Sequence, residues 1–408
     1  MQGQTNEITG CEVCGGKDLV PVLDLGLHPM CDDLVEVGDA RVCQEYPIDI
    51  LFCETCRTAH QRFQVPKQDL FPRTYHYRSR FTADVLNGMK SLVDSVEQRF
   101  GSLTGKTVLD VGCNDGSLLG FFHEKGAVTV GIEPTGAAVD AKANGHAVYN
   151  EFLSESVADK VMAEHGNPDF IVFTNVFAHI EDLAAVVRSL RKLMSPTTVI
   201  VIENHYLGAV LDGNQFDTFY HEHPRTYSYS SFVHIAKSIG LGLAEVEFPS
   251  RYGGNIRVFL APEGVESQAS RDVLAREAEY LSRFAAMRNN VETWRKKKRA
   301  EIEALVKQHG KLRAKAFPGR AAILVKLLGL DADLIEAVHE KPGSMKIGHY
   351  LPGTRIPIVS DDELMALSDK SKPLLNMAWH ISKEIRGYLA KAGYTGEIVD
   401  ILAPEDFY

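Results

Sequence analysis

Apolar residues at Val85, Met89, Leu92, Val93, Val96 and Phe100 recur at helical spacing, so the stretch 84–100 reads as an amphipathic helix. It leads into Thr107-Val-Leu-Asp-Val111, an apolar strand that runs into a glycine turn. Short apolar runs at 128–132, 170–174 and 198–203 repeat the strand signal, and helical patterns at 117–125, 155–164 and 181–194 separate them. This alternation predicts a parallel α/β sheet that binds ligands at the carboxyl ends of its strands. Residues 268–316 read as one long helix or a helical pair. Beyond them, Ala321–Gly329 and Ile356–Val359 suggest a smaller α/β unit.

The length of 408 residues fits three domains, with boundaries near 66 and 262: residues 1–66, 67–262 and 263–408. Runs such as Thr198–Ile202 are far too short to span a membrane, and the first ten residues lack a basic and apolar leader pattern. Seven cysteines are an odd number, which argues against a secreted disulfide framework. A soluble, cytoplasmic protein is expected. The net charge of −10 counts against nucleic acid as a partner. Residues 1–60 hold 11 Asp and Glu against 3 Lys and Arg, whereas residues 268–316 hold 13 Lys and Arg against 6 Asp and Glu. In the basic stretch, Lys297 and Glu301, like Arg299 and Glu303, stand four apart, which describes a solvated, ion-paired helix face. No sustained heptad pattern points to an oligomer.

Cys11-Glu-Val-Cys14 and Cys53-Glu-Thr-Cys56 are two C-x2-C pairs. Four thiolates from two such turns suit a closed, tetrahedral, structural Zn²⁺ site with no open position for catalysis. Unligated cysteines in a core are the other reading. Cys31, Cys43 and Cys113 lack pair spacing.

After the 107–111 strand the glycine pattern is Asp110-x-Gly112-x-x-x-Gly116, without the third glycine of a dinucleotide fingerprint. The loop resembles motif I of class I S-adenosylmethionine-dependent methyltransferases. That resemblance makes Asp110, Gly112, Asn114 and Gly116 candidates for the cofactor, together with Glu133 and Pro134 after the second strand. Glu133 can accept hydrogen bonds from both ribose hydroxyls. Phe152, Asn175, Phe177 and His179, after the third and fourth strands, complete the candidates. His179 is equally well read as a helix cap or core residue.

Polar, titratable side chains crowd Asn204-His-Tyr-Leu-Gly208 and Phe219-Tyr-His-Glu-His-Pro224, on the cofactor side of the sheet. His221 and His223 are two apart rather than four, unlike the H-E-x-x-H zinc pattern. A general base with a positioning tyrosine suits these residues better, since imidazole titrates near neutrality. A histidine-rich surface loop is the bland alternative.

With Phe71-Pro-Arg-Thr-Tyr-His-Tyr-Arg-Ser79, Leu109–Gly116, Tyr220-His-Glu-His223, Tyr252-Gly-Gly-Asn-Ile-Arg257 and Tyr350–Ile358, the chain resembles the nucleotide-sugar C-methyltransferases. The resemblance implies a class I methyltransferase (Rossmann-like) sheet, an N-terminal zinc-binding module and a smaller C-terminal Rossmann-like α/β domain. It also implies a nucleotide-sugar substrate between the last two domains. It assigns His223 as base, with Tyr220 and Glu222 from the same motif and Tyr77 or Tyr75 in the pocket, Tyr77 being preferred. Glu222 would orient His223 or bind a sugar hydroxyl. Asn204, His205, Tyr252, Asn255 and Arg257 are candidates for the substrate. The activity implied is C-methylation of a nucleotide-linked keto-sugar beside its ketone, through an enolate. The chain departs from the family at Ala316-Phe-Pro-Gly-Arg-Ala-Ala322, where Gly-Tyr-Gly-Ala is usual, and at Trp379-His380, where Trp-Asn is usual. Two other functions stay open: O- or N-methylation of a sugar or other small molecule, and a non-catalytic zinc- and nucleotide-binding scaffold.

Overall fold

The structure is a computed structural model that describes residues 3–70, 78–81, 83–264 and 268–407. Its centre is a seven-stranded sheet. From one edge the order is Gly242–Glu247, Asn255–Ala261, Val199–His205, Phe170–Thr174, Thr107–Val111, Val128–Ile132, Ala147–Tyr149. The last five strands are mutually parallel, as the alternating pattern predicts. The first two are antiparallel additions, Asn255–Ala261 pairing with Val199–His205 and Gly242–Glu247 closing the edge. Helices cover both faces, which accounts for strands such as Thr107–Val111 being apolar on both sides. The strand order reverses beside Thr107–Val111, so the loops at its carboxyl end open onto the topological switch point.

The N-terminal module is a four-stranded antiparallel sheet, and its edge strand comes from the central segment. Arg225–Thr226 pairs with Thr58–Gln61, followed by Glu45–Cys53 and Leu19–Pro29. The C-terminal unit is a five-stranded parallel sheet in the order Ile358–Ser360, Ile335–Glu340, Leu312–Lys315, Leu374–Asn376, Ile398–Asp400. The helical pair expected over 268–316 is present as Gln268–Glu277 and Tyr280–His309, but it ends early. Gly310, at φ +78°, terminates the second helix, and Leu312–Lys315 is the first strand of the C-terminal sheet. The basic run is not wholly solvated either. Arg299 pairs with Glu303 at 2.6 Å, but Lys298 is buried between Glu301 at 2.6 Å and Asp406 at 3.1 Å. No described helix is long and apolar enough to cross a membrane.

One apolar core joins all three segments. Val22, Ile48 and Phe52 of the first sheet, Leu207, Phe216 and Phe219, the long helix through Phe284 and Trp294, and Leu324 and Leu375 of the C-terminal unit pack together. This core holds residues 216–219, and so the start of the histidine-rich loop, against the C-terminal domain.

Candidate active site

Gly112, at φ +76°, ends the Thr107–Val111 strand, and a Cβ there would stand 2.5 Å from a Val176 methyl. Gly116, at φ +80°, would place its Cβ 2.8 Å from His146 and 3.1 Å from Ala141. Backbone sign and crowding both demand glycine. Between them Asn114 adopts φ +50° and donates its N–H to Glu133 Oε2 at 2.9 Å. Glu133 Oε1 accepts the Thr135 N–H at 2.8 Å, so the buried carboxylate is held rigidly against the loop. A hydroxyl-binding acid beside a crowded glycine turn fits the nucleoside part of S-adenosylmethionine. Burial, and then the charge of Glu133, push the Asp110 carboxyl up to about 8, so it carries its proton at neutral pH. Pro134 is half-buried beside this pair, and the half-buried Phe152 ring lies 4.8 Å under Lys67 Nζ. Asn175, at φ +54°, donates its N–H to the Glu203 carbonyl. Phe177 is a correction: its fully buried ring packs among Phe173, Tyr227 and Phe232, in the core rather than on the cofactor side.

Three imidazoles and a phenol converge beyond this loop. The His223 ring centroid lies 4.2 Å from Tyr220, 4.9 Å from His179 and 5.5 Å from His205. His179 Nδ1–H donates to the Glu222 carbonyl at 2.6 Å. His223 Nδ1–H donates to the Thr218 carbonyl at 3.0 Å, which leaves Nε2 with its lone pair and no partner among the described residues. Burial first, then His179 and His205, hold the His223 pKa well below the usual imidazole range. Burial likewise lowers His179 to about 4 and His205 to about 3. The cluster is therefore neutral at physiological pH. His221 turns away, donating Nε2–H to the Tyr46 carbonyl at 3.1 Å, and it forms no metal trio with Glu222 and His223 among the described residues. The Thr218 carbonyl takes His223 Nδ1, so Glu222 does not hold the ring at that nitrogen.

The other candidates divide. Arg257 and Asn255 are structural here: Arg257 reaches Glu203 and Glu247 at 2.7 Å each, and Asn255 Nδ2 donates to Glu203 at 3.0 Å. All lie in a buried ion-pair network that includes Arg251, and Arg257 Nη2 and Asn255 Oδ1 have no partner among the described residues. The Asn204 amide is also buried, on the sheet face shared with Ile200 and Ile202, without a partner among the described residues. Tyr252 stands in the short turn Arg251–Gly253. Tyr75 and Tyr77 lie outside the described residues.

Sequence reasoning missed the other half of the site. Arg320 donates from Nε and Nη2 to the two oxygens of Asp217 at 2.8 and 2.6 Å, and from Nη2 to Thr218 Oγ1 at 2.8 Å. Trp379 Nε1 donates to Asp217 at 2.9 Å, and the Arg320 guanidinium lies 5.1 Å over the Trp379 ring. Nothing in the spacing of these residues marks them. The only signal was the unusual Ala316–Ala322 and Trp379-His380 sequences.

The four N-terminal cysteines meet. Cys11 and Cys56 sulfurs are 3.4 Å apart, Cys14 and Cys53 sulfurs 3.5 Å, and all four lie within 4.8 Å of one another. Zn–S bonds of about 2.3 Å in a tetrahedron set the edges near about 3.8 Å, so the set fits zinc. Gly15, at φ +78°, turns the first pair. His60 and Thr58 place donors 3.3 and 3.0 Å from the Cys11 and Cys56 sulfurs, as a thiolate set requires.

Three family models match the chain in succession: a zinc binding domain over residues 11–71, a methyltransferase domain over 81–246 and a C-methyltransferase C-terminal domain over 250–399. Over 394 residues the chain is 29% identical to C-methyltransferase NovU of Streptomyces niveus, covering 94% of this chain and 93% of that one. A stretch of 108 residues is 32% identical to a ubiquinone biosynthesis O-methyltransferase of Sodalis glossinidius, covering 26% of this chain and 43% of the relative. Among solved structures, magnesium protoporphyrin IX methyltransferase of Synechocystis, with bound S-adenosylmethionine, aligns at a TM-score of 0.35 and 15% identity, over 48% of this chain and 98% of that one.

Proposed function

This chain is an S-adenosylmethionine-dependent methyltransferase, similar along its length to a C-methyltransferase, and on that footing we propose that it methylates a nucleotide-linked keto-sugar at a carbon beside the ketone. The observation that carries this reading is the neutral His223, with Nδ1 committed to a carbonyl and the Nε2 lone pair unclaimed. A carbon beside a ketone becomes a nucleophile only after losing a proton, and an imidazole so arranged can take it.

In this reading His223 Nε2 removes the α-hydrogen and the electron pair moves onto the ketone oxygen as an enolate. The Tyr220 hydroxyl, on a ring packed against His223, donates to that oxygen. The enolate carbon then takes the methyl group in line as the ketone re-forms. S-adenosylmethionine supplies the methyl on a sulfonium, leaving as the thioether. Gly112, Gly116 and Glu133 hold the nucleoside, with Asn114, Pro134, Phe152 and Asn175 around it. Glu222 binds a sugar hydroxyl, and His205 faces the substrate beside His223. The C-terminal domain, residues 263–408, holds the carrier, and the zinc module, residues 1–66, closes the site. Four cysteines in the zinc set and three more, Cys31, Cys43 and Cys113, outside any disulfide suit a reducing, cytoplasmic setting.

An O- or N-methyltransferase would need a hydroxyl or amine near the donor and no carbon acid. Mass-spectrometric screening of sugar nucleotides with isotopically labelled donor decides between them. A mass gain is expected on a nucleotide 4-keto-sugar and none on its 4-hydroxy counterpart. Methylation of the reduced sugar alone would assign O-transfer.

A further inference from the structure

We propose that Arg320, in the C-terminal domain, is a positioning residue for His223, acting through Asp217 and Thr218; the proposal rests on the reading of His223 as the base. The linkage is continuous. The Arg320 fork grips both oxygens of Asp217 and, through Nη2, the Thr218 hydroxyl, and the carbonyl of the same Thr218 receives His223 Nδ1–H. Asp217 and Thr218 are fully buried and Arg320 nearly so, so water does not substitute for these contacts.

Both ends of the linkage are anchored. On the C-terminal side, the Phe317 N–H donates to Glu340 at 2.5 Å, and Lys346 Nζ donates to the Phe317 carbonyl at 2.7 Å. These contacts tie the loop that carries Arg320 to the strand Ile335–Glu340. On the other side, Asp217 and Thr218 form the short turn Phe216–Thr218, whose Phe216 ring packs 5.0 Å from Trp294. Trp379 adds a second donor from the C-terminal domain to Asp217. Arg320 and Trp379 thus brace the turn from the C-terminal domain.

A neutral imidazole exists in two tautomers, and only the one protonated on Nδ1 offers Nε2 as a base. The Thr218 carbonyl selects that tautomer, and Arg320 fixes where the carbonyl stands. The same guanidinium, after burial, His179 and His205, adds to the field that keeps the ring uncharged. Arg320 is hydrogen-bonded to Asp217, Thr218 and Gln215, and reaches His223 only through them. Its contribution is the tautomer and aim of the base, so the C-terminal domain takes part in proton abstraction as well as in holding substrate.

The test is the paired substitution Arg320→Met with Asp217→Asn, which removes both charges together so that neither is stranded in the core. Thr218→Val, which keeps the carbonyl, and Arg320→Lys serve as milder variants. Histidine-labelled protein is read by ¹⁵N NMR for the His223 tautomer, and turnover, KM for donor and sugar, and donor Kd are measured on the same samples. The wild type should show one tautomer, with Nδ1 protonated. The paired variant should show averaged nitrogens and a kcat lower by about 100-fold, as expected for an aim lost by about an ångström, with donor Kd unchanged. Arg320→Lys should recover part of kcat. A folded paired variant that keeps the single tautomer, or kcat within twofold of wild type, overturns the proposal. If His223→Asn retains turnover, the base assignment fails, while the tautomer measurement still reads the linkage by itself.

Discussion

At Gly112 a side chain meets two obstacles at once, a left-handed backbone and a Val176 methyl 2.5 Å from where its Cβ would stand. Gly112→Ala must move either the loop or Val176, and the loop carries the Asn114 N–H that fixes Glu133. We expect donor Kd to rise by at least about tenfold, more than 1.4 kcal/mol, with the melting temperature falling only modestly; isothermal titration with S-adenosylhomocysteine measures it. Unchanged affinity would move the cofactor away from this turn. Glycines at a strand end are legible in a sequence because a left-handed, crowded turn admits little else. Thr218 is not legible in that way, since it serves through a backbone carbonyl that any residue possesses. The ion pairs of Arg257, a candidate from the Tyr252–Arg257 motif, are not legible either, since Glu203 and Glu247 reach it from other strands.

The helix Tyr229–Ser238 shows how an element can depend on a distant residue. Ser228 and Ser231 form a capping box at its start. Glu277, fully buried at the end of the helix Gln268–Glu277, accepts the Tyr229 and Ser230 N–H groups at 2.7 and 2.9 Å, the Ser230 hydroxyl at 2.6 Å and the Tyr206 hydroxyl at 3.0 Å. Removing that carboxylate strands buried donors and the positive end of a helix. Glu277→Ala should lower stability by about 3 kcal/mol, read as a drop in urea midpoint at constant slope. A change below about 0.5 kcal/mol would contradict this account of the cap. In the sequence nothing marks Glu277, because helical spacing reports neighbours on one helix and nothing about a second helix crossing it. Leu312–Lys315 was hidden similarly, as a four-residue strand attached to a helix end with no alternation long enough to see.

Across the whole molecule, three segments legible in sequence share one apolar core, and the four-stranded N-terminal sheet is completed by Arg225–Thr226 just after His223. That sharing was not legible, since contacts between segments leave no period in any one of them. It predicts that a zinc chelator destabilises the protein as a whole and takes donor binding with it, checked by calorimetry and titration; loss of an N-terminal transition alone, with donor binding intact, would refute this. Acid should act likewise. Burial depresses His28, His179, His221 and His380 to about 4 and His205 to about 3, against about 6.5 in an unfolded chain. The unfolded state thus binds more protons below pH 6.5. The stability these groups contribute is complete above that pH and is lost as the pH falls towards 4. The melting temperature should be level from pH 8 to 7 and fall steeply below 6; a flat profile down to pH 4.5 would show these imidazoles to be solvated. The central claim is proton removal from carbon by His223, and solvent isotope exchange tests it most directly. In deuterated water, with a nucleotide 4-keto-sugar and S-adenosylhomocysteine bound, the wild type should exchange the substrate's α-hydrogen for deuterium, and His223→Asn should slow this by about 100-fold or more while binding the donor normally. Turnover with no exchange in the wild type, or exchange undiminished in His223→Asn, would contradict the account.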